Sequence, residues 1–173
     1  MEITRTDTIE YNTNSISLAG EFAVLSQLAL RGFDASMTLG HTKGVDILIS
    51  DPKTGKMFKM EVKTHHGSKP TTSKLFGHCL EWVMSEKHEG INDPQLFYCF
   101  VYIELPISTF RFFIVPSAVV AKYVREQHQH YTAERNIEET DMRKFRVGLE
   151  ESGYTIDTPL AKDFEDNWDI SQS

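Results

Sequence analysis

The first periodic pattern along the chain is helical. After Ser17, apolar residues recur at spacings of three and four positions, at Leu18, Phe22, Leu25, Leu28 and Ala29. Ser17 can cap the amino end of a helix, and Gly32 can end one. The pattern therefore predicts an amphipathic helix from Ser17 to Arg31, preceded by a polar arm over residues 1–16 that shows no periodicity.

Two strands, each with one buried face, are predicted after this helix. Every second residue is apolar in two runs, at Val45, Ile47 and Ile49 and again at Phe58, Met60 and Val62. Residues 51–56 between the runs contain the proline and the late glycine of a hairpin loop built around a type I turn. A turn centred between Lys53 and Thr54 closes the apolar face on itself and sets Asp46 directly opposite Glu61.

The remaining patterns complete an α/β chain. Strands are predicted over residues 34–39, 95–105, 110–115 and 144–149, and helices over 73–87 and 117–134, with a last helical turn or two at 160–168. The helix over 73–87 depends on the spacing of Leu75, Cys79, Trp82 and Val83. We expect one domain over residues 1–173, with its core at about 17–134 and a C-terminal extension at 135–173.

The charge of the chain is acidic and uneven. With 18 Lys and Arg against 25 Asp and Glu, the formal net charge is −7, and such a surface does not attract polyanions by bulk charge. Residues 150–173 carry −6, whereas residues 41–89 carry +2 and five of the seven histidines. A nucleic-acid partner would therefore need a metal ion or a local basic patch, although Lys and His residues often do no more than solvate a surface.

Cysteine usage and hydropathy indicate the cellular location. Cys79 and Cys99 have neither the number nor the spacing of a disulfide framework or a zinc site. The first residues lack the basic start and apolar core of a signal peptide, and no apolar run approaches the ~20 residues that span a bilayer. We expect a soluble cytoplasmic protein that does not enter membranes.

Three acidic residues and one lysine are expected to converge beside the predicted hairpin. Opposed residues of an antiparallel pair have Cβ atoms about 4.5–5.5 Å apart, so Asp46 and Glu61 repel each other unless a cation lies between them. Lys63 lies two residues beyond Glu61 and therefore on the same face. Glu21 falls within the apolar stripe of the first helix and should face the sheet. Such carboxylates suit Mg²⁺ or Mn²⁺, which promote phosphodiester cleavage.

Each of these residues also has a purely structural interpretation. Glu61 and Lys63 can form an ion pair on an exposed strand, and Glu21 can stabilise the dipole of its helix. Three other residues are candidates for phosphate contact. Lys43 lies in a glycine-rich connection that a nucleic-acid backbone can approach, and His65 and His66 follow the strand of Glu61, where they can also be ordinary loop residues.

In combination, these residues resemble the PD-(D/E)XK nuclease superfamily, with a layout similar to that of archaeal Holliday-junction resolvases. The resemblance covers residues 17–66 and rests on Glu21, on Gly44-Val45-Asp46-Ile47 and on Glu61-Val62-Lys63. It implies a restriction endonuclease-like fold, in which helices flank a central mixed β-sheet. It further implies an endonuclease that hydrolyses phosphodiester bonds in DNA with Mg²⁺ or Mn²⁺, and a homodimer, because small nucleases often pair to cut two strands.

The resemblance also implies a role for each matching residue. Asp46 and Glu61 correspond to metal ligands, and the Val62 backbone carbonyl to a further ligand. Lys63 corresponds to the catalytic lysine, and Glu21 to an outer acidic residue that supports this metal or a second one.

A second hypothesis keeps the fold without the chemistry. The net charge of −7 and the acidic tail argue against a protein that binds DNA through a basic stripe. The chain can therefore also be a catalytically degenerate nuclease-fold protein that acts as a nucleic-acid-binding or protein-interaction module.

Overall fold

Three α-helices and eight strands form within the residues that the computed structural model describes, namely 11–38, 44–106, 108–135, 140–151, 154 and 156–171. In chain order they are α1 (Thr13–Leu30), β1 (Asp34–Met37), β2 (Ile47–Ser50), β3 (Met57–Gly67), β4 (Thr71–Ser73), β5 (Gly77–Ser85), β6 (Leu96–Glu104), β7 (Thr109–Pro116), α2 (Ser117–Arg135), β8 (Met142–Gly148) and α3 (Ala161–Phe164). A short 3₁₀ helix, Glu86–Gly90, follows β5. No helix of the described chain is long and apolar enough to cross a bilayer.

A five-stranded mixed sheet lies at the centre of the fold. Its strand order is β1-β2-β3-β6-β7, in which β3 and β6 run parallel and the other neighbours run antiparallel. The alternating residues predicted for the hairpin form β2 and β3, and the predicted register is confirmed for Ile47 with Met60 and Ile49 with Phe58. The predicted direct pair of Asp46 with Glu61 is not part of this ladder, because the Asp46 N–H donates to the Met60 carbonyl instead. The expected α/β class with a central mixed sheet is therefore observed.

Helix α1 covers one face of this sheet. It begins at Thr13, where the Asn12 side chain accepts a hydrogen bond from the Asn14 N–H, so the predicted start at Ser17 is four residues late. Its buried residues recur every four positions, at Ile16, Gly20, Val24 and Leu28. Leu18 and Phe22, which were predicted to face the core, are 46% and 54% exposed. The buried stripe is therefore rotated from the predicted one, because a glycine rather than a large apolar residue marks its closest approach to the sheet.

A small antiparallel sheet and α2 cover the other face. The small sheet has the order β4-β5-β8, and it occupies the segment predicted to be a helix over residues 73–87. That prediction was wrong because β5 buries every second residue, at Leu80, Trp82 and Met84, while Val83 is 65% exposed. The Trp82 indole Nε1 donates to the Val101 carbonyl of the central sheet at 2.9 Å, which fixes the two layers together.

The C-terminal residues belong to the packed core, which extends beyond the predicted 17–134 segment. Strand β8 pairs with β5 along its whole length. Farther on, Trp168 and Ile170 are buried in the cluster between α1 and the central sheet. Arg31 lies over the Trp168 ring at 4.6 Å, and Arg111 donates twice to Glu165. The C-terminal extension therefore completes the apolar cluster between α1 and the central sheet.

Candidate active site

The start of β2 and the middle of β3 place Asp46 beside Glu61. The Asp46 N–H donates to the Met60 carbonyl at 2.9 Å, one residue out of step with the regular ladder that ends at Ile47. The Asp46 Oδ2 atom accepts a hydrogen bond from the Val62 N–H at 2.7 Å. This carboxylate is thereby held against the strand that carries Glu61.

The two carboxylate oxygens of the buried Glu61 have different surroundings. Its side chain is 3% exposed, and Oε1 lies 2.6 Å from the Lys63 Nζ and 3.5 Å from the His88 Nε2. The other oxygen, Oε2, is buried and has no hydrogen-bond partner among the described residues. A Cβ atom added at Gly44 would lie 3.4 Å from this Oε2. Glu61 is thus held through one oxygen and leaves the other toward Gly44.

The two acidic residues have pKa values displaced in opposite directions. Burial raises the pKa of Asp46, and the charge of Glu61 adds to this, against the Val62 N–H and the charges of Lys63 and Lys87. Burial also acts to raise the pKa of Glu61, but the His88 hydrogen bond and Lys63 outweigh it and lower the pKa to about 2. At neutral pH Glu61 is therefore firmly ionised, and the site concentrates negative charge next to Lys63.

Glu21 lies at the edge of the same site. Gly20 brings α1 close to β3, because an added Cβ there would lie 2.0 Å from the Thr64 Oγ1, and Glu21 is the next residue. Burial and the charge of Asp46 raise the pKa of Glu21, while Lys63 lowers it. Of the four residues predicted to converge, Glu21 therefore interacts electrostatically with Asp46 and Lys63, and Asp46 with Glu61 and Lys63, while their catalytic roles stay predictions.

The other predicted residues have varied positions. The Val62 side chain packs in the core, and a role for its carbonyl stays a prediction. His65 and His66 belong to β3 itself rather than to a loop after it. The His65 ring contacts Tyr102 and the His66 ring contacts Tyr11, with centroids 6.0 and 5.6 Å apart. Lys43 lies outside the described residues.

Three residues near the site were not predicted. His88 of the 3₁₀ helix contacts Glu61, the charge of Lys87 reaches Asp46, and Tyr98 pairs with Glu61 across β3 and β6. Burial, the charge of Glu61 and the approach of the Tyr98 hydroxyl to the Glu61 carboxylate raise the pKa of Tyr98. Lys87 and His88 were missed because the sequence pattern predicts a helix over 73–87, where the structure has β5 followed by the 3₁₀ helix. Once β5 is recognised, its end at Ser85 indicates that they lie close to the central sheet.

An open cleft of about 550 Å³ borders the site on the side of the small sheet. Lys63, Lys87 and His88 line it together with Val83, Asp141 and Met142. Lys63 and His88, which line the cleft, also contact Glu61, so the cleft lies next to the carboxylate cluster. Its wall therefore carries two lysines and one aspartate among the described residues.

The donors present fit a hard divalent cation. No three His, Cys, Asp or Glu side chains form a ready metal cluster in the part of the chain that the structure describes. Mg²⁺, however, commonly binds through one or two carboxylates and completes its shell with waters and substrate oxygens. Asp46 and Glu61 could provide such a pair, because the Glu61 Oε2 atom accepts no hydrogen bond from the described residues and Gly44, which has no side chain, lies beside it.

The fold is similar to that of a bacterial homing endonuclease, I-Ssp6803I. The similarity has a TM-score of 0.54 and covers 94% of this chain and 92% of that chain, at 15% sequence identity. No protein-family model matches the sequence, and a search of curated proteins gives no significant match. The chain therefore shares its fold with a nuclease, although the two sequences are only 15% identical.

Proposed function

We propose that this protein is a divalent-metal-dependent endonuclease that hydrolyses phosphodiester bonds in DNA. The observation that carries the proposal is the state of Glu61, a buried carboxylate with a pKa of about 2 that keeps one oxygen without a partner. An ionised carboxylate is costly to bury unless it is paired, and Lys63 and His88 both approach Oε1. A cation held between Glu61 and Asp46 would account for both the unpartnered oxygen and the adjacent like charges.

The residues of the site can divide the work of hydrolysis among them. A bound Mg²⁺ or Mn²⁺ would orient the scissile phosphate and lower the pKa of a water molecule. Asp46 and Glu61 would hold the cation, and Lys63 would stabilise the negative charge that develops on the phosphate or position the attacking water. Glu21 would support the cation site from α1. These roles agree with the PD-(D/E)XK resemblance.

The assignment of DNA as substrate rests on two observations. The similar structure is that of a homing endonuclease, and the cleft beside the site has Lys63 and Lys87 on its wall. We further propose Lys87 as a phosphate-contacting residue, together with the predicted Lys43, His65 and His66. The homodimer implied by the resemblance belongs to the same proposal, and the mass of the protein in solution tests it.

Nicking of supercoiled plasmid DNA tests the function directly. We expect the wild-type chain to nick DNA in Mg²⁺ or Mn²⁺ and to be inactive in EDTA. Glu61→Gln and Lys63→Met should each reduce the rate at least about 100-fold, because they remove a charge from the reacting centre, while circular dichroism shows the fold retained. Metal-dependent nicking that survives in both purified variants would refute the assignment.

A metal titration distinguishes the proposed nuclease from a catalytically degenerate interaction module. If Glu61 and Asp46 bind a cation, Mg²⁺, Mn²⁺ or Ca²⁺ should raise the melting temperature of the wild type by mass action but not that of Glu61→Gln. If none of the three ions changes the melting temperature of the wild type, and no nicking is observed, the results would favour the interaction module.

A further inference from the structure

His88 is the one histidine side chain that contacts the Glu61 carboxylate among the described residues. It is 3% exposed and belongs to the 3₁₀ helix Glu86–Gly90, far from the hairpin in sequence. Its Nδ1 atom accepts the Ser85 N–H at 3.1 Å, which caps that helix, and its Nε2 atom lies 3.5 Å from the Glu61 Oε1. One imidazole ring therefore joins the end of β5 to the centre of β3.

Nδ1 contacts Ser85 and Nε2 contacts Glu61. When the ring carries its proton on Nε2, Nδ1 accepts the Ser85 N–H and Nε2 donates toward Glu61. Nε2 is then a donor that faces a carboxylate oxygen. The Ser85 carbonyl and hydroxyl also lie 2.9 and 3.1 Å from Nδ1. A ring that carries a proton on both nitrogens would donate to this carbonyl and to Glu61 together, so Nε2 is the donor to Glu61 in that form too.

The consequence for Glu61 concerns its orientation. Lys63 and His88 both approach the same oxygen, Oε1. A carboxylate held twice through one oxygen cannot rotate freely, and its second oxygen is left toward Gly44. Without His88, Lys63 would be the one remaining described side chain within 3.5 Å of Oε1.

We propose that His88 is a positioning residue, which holds Glu61 through Oε1 so that Oε2 is available to a divalent cation. The inference rests on the proposed metal-dependent function and deepens it. His88 does not reach substrate or cation in this role. It acts as outer-shell hydrogen-bond donors do in other metal sites, where their loss typically costs about 10- to 100-fold in metal affinity.

Two substitutions separate this role from the capping role. In His88→Asn, the amide oxygen can replace Nδ1 as the acceptor for Ser85, but nothing reaches Glu61. In His88→Gln, the longer amide can replace Nε2 as the donor to Glu61, but the cap is lost. Positioning therefore predicts that Asn damages the site and Gln rescues it, whereas a merely structural role predicts the reverse order.

The experiment measures Mn²⁺ affinity of the full chain by electron paramagnetic resonance of free Mn²⁺, without DNA. We expect His88→Asn to weaken Mn²⁺ binding about 10-fold or more and His88→Gln to remain within about threefold of wild type. Thermal melting without metal should rank the variants oppositely, with His88→Gln the less stable. Unchanged binding in His88→Asn, or equal weakening in both variants, overturns the inference.

The same measurements distinguish this inference from the proposed function. If wild type binds Mn²⁺ in a Glu61-dependent manner and the two variants rank as expected, but plasmid DNA is not nicked, the positioning role stands and the nuclease assignment fails. If DNA is nicked and the variants do not differ, the nuclease stands and the positioning role fails. Wild-type protein without Glu61-dependent Mn²⁺ binding overturns both.

Discussion

Gly44 lies beside the Glu61 oxygen that has no hydrogen-bond partner among the described residues. Its φ of +75° lies in the left-handed region, and a Cβ there would lie 3.4 Å from the Glu61 Oε2. Gly55, in the turn between β2 and β3, has nearly the same backbone, with φ of +72°, but nothing lies within 4 Å of its Cβ position. The two glycines therefore share a conformational requirement and differ in what surrounds them.

Alanine at these two positions should separate strain from function. We expect Gly44→Ala and Gly55→Ala each to lower the free energy of unfolding by about 1–2 kcal/mol, because both force an L-residue into the left-handed region. Only Gly44→Ala should also reduce plasmid nicking, by about tenfold or more, since its methyl group occupies the space next to Oε2. Urea unfolding and nicking rates measure the two effects. Equal rates in both variants would show that this space is not used.

Residues of the site differ in how far the sequence predicts them. Asp46, Glu61 and Lys63 follow from alternation and turn chemistry, because a hairpin register is a local property. His88 meets Glu61 across 27 residues of sequence, and that contact requires knowing that β5 and its 3₁₀ helix pack against the central sheet. Local sequence patterns do not predict such a tertiary contact.

At the scale of elements, the approach of α1 to β3 depends on Gly20. An alanine Cβ at this position would lie 2.0 Å from the Thr64 Oγ1 and 3.0 Å from its Cβ and Cγ2. Alanine favours helix over glycine by about 1 kcal/mol, but overpacking a tight interface typically costs about 1–3 kcal/mol. The clash is with a β-branched side chain on a central strand, so the helix has to move.

We expect Gly20→Ala to destabilise the protein by about 1–3 kcal/mol and to reduce nicking, because it shifts the adjacent Glu21 away from Asp46. Gly90→Ala, where nothing lies within 4 Å of the added Cβ, should change stability by about 0.5 kcal/mol or less. Adding Thr64→Ala to Gly20→Ala should recover part of the loss. Independent, additive effects of the two substitutions in urea unfolding would contradict the proposed contact.

Elements were predictable where one periodicity dominated. The hairpin and α2 match their predicted spans closely. In the segment over 73–87, Leu75, Cys79, Trp82 and Val83 fall at helical spacing, yet Leu80, Trp82 and Met84 are the residues that pack inside. Apolar residues stood at both spacings, and the partner strand β8, more than fifty residues away, decided between them. The secondary structure of this segment is therefore determined by a tertiary contact, which the local sequence pattern does not indicate.

For the whole molecule, the C-terminal segment is tied to the hairpin that carries the site. The Ser171 hydroxyl donates to the Asp51 Oδ2 at 2.6 Å, and the Lys56 Nζ donates to the Ser171 carbonyl at 2.7 Å. Asp51 directly follows β2 and also accepts hydrogen bonds from the Lys53 N–H and the Thr54 hydroxyl. These donors, Ser171 foremost, lower the pKa of Asp51 to about 2.

This contact should make stability depend on acid in a defined window. Because the Asp51 pKa is lower in the folded than in the unfolded chain, its contribution is complete above about pH 4 and is lost as the pH falls toward 2. We expect Asp51→Asn to be less stable than wild type at pH 7 and the difference to close between pH 4 and 2, with Ser171→Ala intermediate. Urea unfolding at several pH values measures this difference, and Glu61, which titrates in the same range, is common to all three chains. A gap between wild type and Asp51→Asn that stays constant down to pH 2 would mean that Asp51 does not hold the C-terminal segment through its charge.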